Sequence, residues 1–138
     1  MHVRQANVSD VELLAELNHQ LIRDEGHRNN MSVSELQSRM QSWLTGEYEA
    51  YLFSLAEATV GYTLFRRESE YVYLRQFFIV ADYRRRGLGR AAFEWMREHR
   101  WRSGSRLRLE VLIDNERALD FWRAMGFRDY CLTLERDG

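Results

Sequence analysis

The stretch Arg84-Arg85-Arg86-Gly87-Leu88-Gly89-Arg90 decides how this chain is read. Before it, Leu74 to Val80, continuously apolar from Phe77 onward, reads as a buried strand. After it, Ala91-Ala92-Phe93-Glu94-Trp95-Met96 reads as a helix. A strand, a glycine turn and a helix start place several backbone N–H groups at the positive end of a helix dipole. That geometry suits an anion. Three consecutive arginines in the same turn point to a phosphate-bearing ligand.

Working outward, His2 to Ala6 forms a short first strand, and Asn7, Ser9 and Asp10 offer N-cap oxygens. Val11, Leu14, Ala15, Leu17, Leu21 and Ile22 then recur at helical spacing, and the helix ends near Asp24-Glu25-Gly26. His27-Arg28-Asn29-Asn30 is a polar loop. Ser32 or Ser34 caps a second helix with Leu36, Met40, Trp43 and Leu44 inward, and Gly46 stops it. Tyr48 to Leu55, Val60 to Phe65 and Tyr71 to Val80 read as an antiparallel meander. Beyond the glycine turn, a helix runs to about Trp101. Leu107, Leu109, Val111 and Ile113 alternate as a fifth strand. Asp114 or Asn115 caps a last helix, Glu116 to Met125, and Phe127 to Leu134 form a final strand. The predicted order is β-α-α-β-β-β-α-β-α-β.

The chain has 138 residues, enough for one domain with one core. Its apolar share of 45% and charged share of 30% are those of a globular protein. A net charge of −1 argues against general nucleic-acid binding, which calls for a basic surplus. The single cysteine, Cys131, excludes an internal disulfide and a cysteine-rich metal cluster. His19, His27 and His99 show no metal-ligand spacing, so no metal is expected. Met1-His2-Val3-Arg4-Gln5 has no apolar h-region, and no apolar run approaches a membrane span. The expected setting is cytoplasmic and reducing, with no membrane partner.

The glycines admit several readings. One is an ordinary strand-to-helix turn with a solvated arginine run. Another is a dinucleotide fingerprint, because Gly87, Gly89 and Ala92 fit G-x-G-x-x-A. Against it, an arginine-bearing segment separates strand from turn, and too little chain remains for a second βαβ half. Walker A fails because no Gly-Lys-Ser/Thr follows. The third reading is a pyrophosphate cradle. Arg84, Gly87 and Gly89 fit R/Q-x-x-G-x-G/A, which closely resembles the pattern of the GNAT acetyltransferase superfamily. The later run from Asn115 to Phe127 resembles that family's N-x-x-A-x-x-F-Y-x-x-x-G-F block. Both blocks sit on the right elements in the right order, and the resemblance covers nearly the whole chain.

The resemblance implies a single-domain α/β (α+β) fold over residues 1–138, with a mixed, mostly antiparallel sheet, splayed central strands and about four helices. It implies acetyl-coenzyme A as co-substrate. By the family pattern, main chain of Phe78, Ile79 and Val80 pairs with the pantetheine arm. N–H groups from Arg85 through Arg90, Leu88 included, meet the pyrophosphate. Gly87 and Gly89 permit close approach, and Arg84, Arg85, Arg86 and Arg90 supply charge. Asn115 matches a cofactor-binding position, and it is equally a helix N-cap. The reaction is attack of an amine on a thioester. Only about 0.04% of a primary amine with pKa near 10.4 is neutral at pH 7, so a base is needed. Glu110 is the candidate, on the face opposite the fifth strand's apolar residues. A merely wet face is the other reading of that position. Trp122 stands where the family often has a tyrosine acid, and indole is no practical acid.

The acceptor side maps by the same resemblance to the first two helices and their loop. Asp24 and Glu25 there either attract an amine or simply end a helix. The acceptor is expected to be a small-molecule amine or a peptide. The rival reading is a coenzyme A-binding module without catalysis, acting as a sensor or partner-binding subunit. A short last strand suggests an open edge that a second copy could complete as a homodimer.

Overall fold

Alternating aromatic and apolar residues in the middle of the chain build the sheet. The computed structural model describes residues 1–26 and 28–138; His27, in the expected acceptor loop, lies outside the described residues. The strands are β1 (His2–Gln5), β2 (Tyr48–Leu55), β3 (Ala58–Arg67), β4 (Tyr71–Ile79) and β5 (Arg106–Leu109), in that spatial order. The first four pair antiparallel, and β5 pairs parallel with β4. Helices α1 (Val11–Glu25) and α2 (Val33–Thr45) pack on one face, and α3 (Leu88–His99) and α4 (Glu116–Ala124) on the other. This is the mixed, mostly antiparallel sheet with four helices that the sequence implied.

Local chemistry sets the helix ends. Asn7 and Asp10 close a capping box around a 3-10 turn, Val8–Asp10, that leads into α1. Gly26 ends α1 in the left-handed region. Ser32, rather than Ser34, caps α2, in a capping box with Glu35. Val11, Leu14 and Leu17 of α1 and Met40 of α2 then pack onto Tyr48, Ala50, Leu52, Tyr62, Leu64 and Phe78. Burying each larger apolar side chain contributes about 1.5–3 kcal/mol. On the opposite face, Phe53, Val60, Phe65, Val72 and Leu74 meet Ala92, Phe93 and Met96 of α3, with Trp101 and Trp122.

A bulge in β4 controls which side chains face where. The register shifts between Leu64 and Phe65, so Arg75 has no partner across the ladder. Tyr73 precedes the bulge; Arg75, Gln76 and Phe78 then all reach groups on the α1/α2 face. Leu74 and Phe77 share the α3/α4 face. One extra residue thus puts an arginine and a glutamine side by side on the same surface.

Two expectations are corrected. The fifth strand ends at Leu109 instead of continuing to Ile113, because its parallel register with β4 spans only Tyr71–Leu74 against Arg106–Leu109. The final strand, Phe127 to Leu134, does not form. Phe127 packs on Phe93 and Trp122 with ring centroids 5.8 and 5.2 Å away. From Arg128 onward the chain is exposed and in no strand. The alternation is present, but a strand needs a neighbour to complete its ladder, and no described strand pairs with this segment. Side chains hold it instead: Arg123 on Asp129, Arg108 on Tyr130, and Arg28 on Glu135.

Gly61 is where β3 and β4 approach most tightly, since a Cβ there would lie 2.1 Å from the carbonyl oxygen of Phe78. Gly61→Ala is expected to lower the unfolding free energy by about 1–3 kcal/mol in urea denaturation. A change below about 0.5 kcal/mol would contradict that approach.

Candidate active site

β4 delivers the chain to the arginine turn. A 3-10 turn, Ala81–Tyr83, follows it, and α3 starts at Leu88. Arg85 and Gly87 both have positive φ, 65° and 75°. For an arginine that conformation costs about 1–2 kcal/mol, so the turn is strained on one side of its glycine. No side chain caps α3. Among the described residues, none of the amides from Arg85 to Arg90 donates to a backbone acceptor outside the helix ladder; the first such bond is Ala91 N to Gly87 O, 3.0 Å. The start of α3 therefore presents a run of N–H groups without backbone partners. Gly87 is required by its φ. Gly89 keeps the packing loose enough for Phe121, since a Cβ there would come within 3.1 Å of that ring.

The four arginines divide. Arg84 turns inward: Nε donates to Ile79 O at 2.9 Å and Nη2 to Asp24 Oδ2 at 2.6 Å. Arg117 of α4 donates to the same Asp24 oxygen at 2.8 Å. One carboxylate at the end of α1 thus joins the turn to α4. Burial pushes the Asp24 pKa up, but the two arginine hydrogen bonds outweigh it and hold the group below its ordinary value. Arg85, Arg86 and Arg90 are exposed, with Arg86 over the Tyr83 ring at 5.4 Å.

Beside the turn, β4 outlasts its pairing with β5. Val80 N–H donates to Val60 O at 2.8 Å. By antiparallel alternation, Val80 and Phe78 direct their main-chain groups at β3, and Ile79 directs its own at the open side. Its carbonyl already accepts from Arg84, so its N–H is the group left there. Asn115 caps α4, with Oδ1 accepting from Ala118 N at 3.2 Å. Below the split, Phe121 and Trp122 of α4 pack on Phe77, centroids 6.3 and 5.3 Å away. A cleft of about 440 Å³ opens nearby, lined by Gln20, Arg23, Asp24, Phe78, Val80 and Asp82.

Glu110 follows β5 and is exposed. Its Oε1 accepts from Tyr73 Oη at 2.6 Å, which places it on the α1/α2 face of the split. Burial first, then this hydrogen bond, push the Tyr73 phenol up to about 12. Trp122 is buried among Phe77, Phe93, Phe121 and Phe127 and belongs to the core. Tyr130 rests on Arg108, whose Nη2 donates to its hydroxyl at 3.2 Å. No cluster of three or more His, Cys, Asp or Glu that could hold a metal occurs among the described residues. No described helix is long and apolar enough to cross a membrane.

Sequence reasoning missed the Arg84–Asp24–Arg117 junction, which joins residues 60 and 93 positions apart. It also missed Tyr73 as the partner of Glu110. The odd-numbered alternation Tyr71, Tyr73, Arg75 was a readable sign that one face of β4 carries polar groups.

Asp24 ionises at lower pH folded than unfolded. Its contribution to stability is therefore whole above its ordinary value of 3.8 and is lost as pH falls below it. Asp24→Asn is expected to cost about 1 kcal/mol at pH 7, after allowance for solvent screening, and less at pH 2.5. Urea denaturation at the two pH values measures both. Equal effects at both would dissociate Asp24 from the two arginines.

No curated protein sequence matches the chain. Solved structures do. A possible acetyltransferase from Clostridium difficile 630 superposes with TM-score 0.79 at 14% identity, covering 99% of this chain and 96% of that one. An acetyltransferase from Thermus thermophilus gives 0.75 at 25% identity over 93% and 88%. The aminoglycoside N-acetyltransferase AAC(6')-Iy, in complex with CoA, gives 0.73 at 16% identity over 99% and 93%. The profile of the acetyltransferase (GNAT) family matches residues 14–127. With the two motifs carried on α3 and α4 of this sheet, the chain belongs to the GNAT acetyltransferase family.

Proposed function

We propose that the protein moves an acetyl group from acetyl-CoA to a primary amine. The observation that carries this reading is the run of amides from Arg85 to Arg90, left without backbone acceptors beside the open edge of β4. These amides and the helix dipole suit a pyrophosphate, with Gly87 and Gly89 keeping the turn tight and Arg85, Arg86 and Arg90 adding charge. Arg84 orients the turn through Ile79 and Asp24. Ile79 N–H faces the split and suits an amide-bearing arm laid along β4. Phe78 and Val80 supply apolar contact there. Asn115 Oδ1 is used by the cap, so a cofactor contact from that residue falls to Nδ2.

Acetyl-CoA supplies an activated thioester. Glu110 accepts a proton from the acceptor ammonium, directly or through one water. The neutral nitrogen bonds to the acetyl carbon, the carbon–sulfur bond breaks with its electron pair leaving on sulfur as thiolate, and the nitrogen's second proton passes to water as the amide forms. Trp122 offers no acidic proton, so solvent protonates the thiolate.

Isothermal calorimetry is expected to show one acetyl-CoA bound per chain, with about tenfold weaker binding in Arg86→Ala/Arg90→Ala. No heat of binding would overturn the reading. Glu110→Gln is expected to lower kcat by about 10²–10⁴-fold. The same variant should lower the Tyr73 phenol from about 12 towards its ordinary 10, followed by absorbance titration. An unchanged rate would remove Glu110 from the reaction. The buried Trp122 in place of an acid also fits a non-catalytic CoA-binding module. That reading predicts binding without amine-stimulated release of free thiol.

A further inference from the structure

On the α1/α2 face, a contiguous strip of arginines and aromatic rings runs away from Glu110. Tyr73 touches Glu110; the Arg66 guanidinium lies 5.4 Å from the Tyr73 and Tyr48 ring centres; Arg75 lies 5.9 Å from Tyr48 and 4.7 Å from Trp43; Arg39 lies 4.4 Å from Trp43. Arg66 is neutralised by Glu68. Arg39 and Arg75 have no carboxylate partner among the described residues. Arg75 donates to Tyr48 Oη, at 3.4 Å, and Arg39 to the buried Asn18 Oδ1, at 3.1 Å. Arg39 Nε is buried with no hydrogen-bond partner. Burial and then the nearby Arg75 charge both depress the Arg39 pKa.

Two guanidiniums against one indole repel each other and gain only cation–π attraction, about 0.5–2 kcal/mol apiece. A protein usually pairs such cations with a carboxylate. Here the pair faces the same surface as Glu110 and lacks one among the described residues. An incoming anion would gain charge-assisted, forked hydrogen bonds and would relieve the repulsion. A polycation, such as an aminoglycoside, would meet two uncompensated positive charges.

We infer that the acceptor is an amine that also carries a carboxylate, the class of a free amino acid. Its carboxylate sits on Arg75 and Arg39, and its ammonium lies toward Tyr73 and Glu110. The inference rests on the acetyl-transfer reading for the position of the amine, whereas the anion site stands on the arginine pair itself. Trp43 and Tyr48 lie against the guanidiniums at the carboxylate end.

The test uses the full chain, calorimetry and thermal melting, with common L-amino acids, their primary amides and spermidine as probes. At least one amino acid is expected to bind about tenfold or more tightly than its amide. Arg75→Met should weaken that amino acid by about 10- to 100-fold, leaving the amide and acetyl-CoA within about twofold. Arg75→Lys should fall between, because it keeps the charge and loses the fork. Equal binding of acid and amide, tighter binding of spermidine, no binding of any probe, or an unchanged Arg75→Met would each overturn the inference. Thiol release separates the two claims. Carboxylate-dependent binding with no transfer to any amine supports the anion site and defeats the transfer reading. Equal transfer to acid, amide and polyamine supports transfer and defeats the anion site.

Discussion

The short parallel pairing of β4 with β5 is the constraint on which the rest of the molecule depends. Four residue pairs, Tyr71 to Leu74 with Arg106 to Leu109, hold the two strands together. Past them, β4 continues to Ile79 with main chain that β5 does not reach. Unpaired backbone inside a fold is expensive unless something meets it. Part of the demand is satisfied by Arg84, which folds back onto Ile79 O. Underneath, Phe121 and Trp122 pack on Phe77 and fill the space on the α3/α4 side of the split. A Cβ on Gly89 would press on Phe121 at 3.1 Å, tighter than ordinary contact. The strand split, the glycine pattern and the aromatic pair of α4 are thus one packing solution.

Charge is distributed around that split in two different ways. Arg84, Asp24 and Arg117 form a closed set in which two cations share one carboxylate. Such a set braces structure, because each charge has its partner and the hydrogen bonds fix the angle of the turn. Arg39 and Arg75 form an open set, supported by rings and neutral oxygens, with no carboxylate among the described residues. The bulge at Arg75 makes this possible. Without the extra residue, β4 would keep one alternation throughout, and Arg75 and Gln76 could not share a face.

Much of the fold was legible in the sequence. All four helices were located; of the two serines offered for α2, Ser32 caps it, whereas Asn7 caps the 3-10 turn ahead of α1 and Asp10 makes no side-chain cap bond to α1 itself. The glycine turn announced a strand-to-helix junction. The failures came where pattern lacks a partner. Val111 and Ile113 continue the alternation of Leu107 and Leu109, yet β5 stops at Leu109 because β4 pairs with it no further. Leu132 and Leu134 alternate convincingly, yet both are exposed, with no described strand beside them. Asn115, open between cap and ligand on sequence grounds, uses its Oδ1 as a cap.

The sequence alone settled what depends on neighbours along the chain: helix faces, the glycine turn into α3, and the family motifs with their order. Tertiary structure alone decided which arginine turns inward, that Asp24 reaches both Arg84 and Arg117, that Tyr73 meets Glu110, and that Arg39 and Arg75 converge on Trp43. The reason is one of range. Backbone propensity acts over a few residues, whereas an ion pair or a ring contact is fixed only once packing has brought distant segments within a few ångströms.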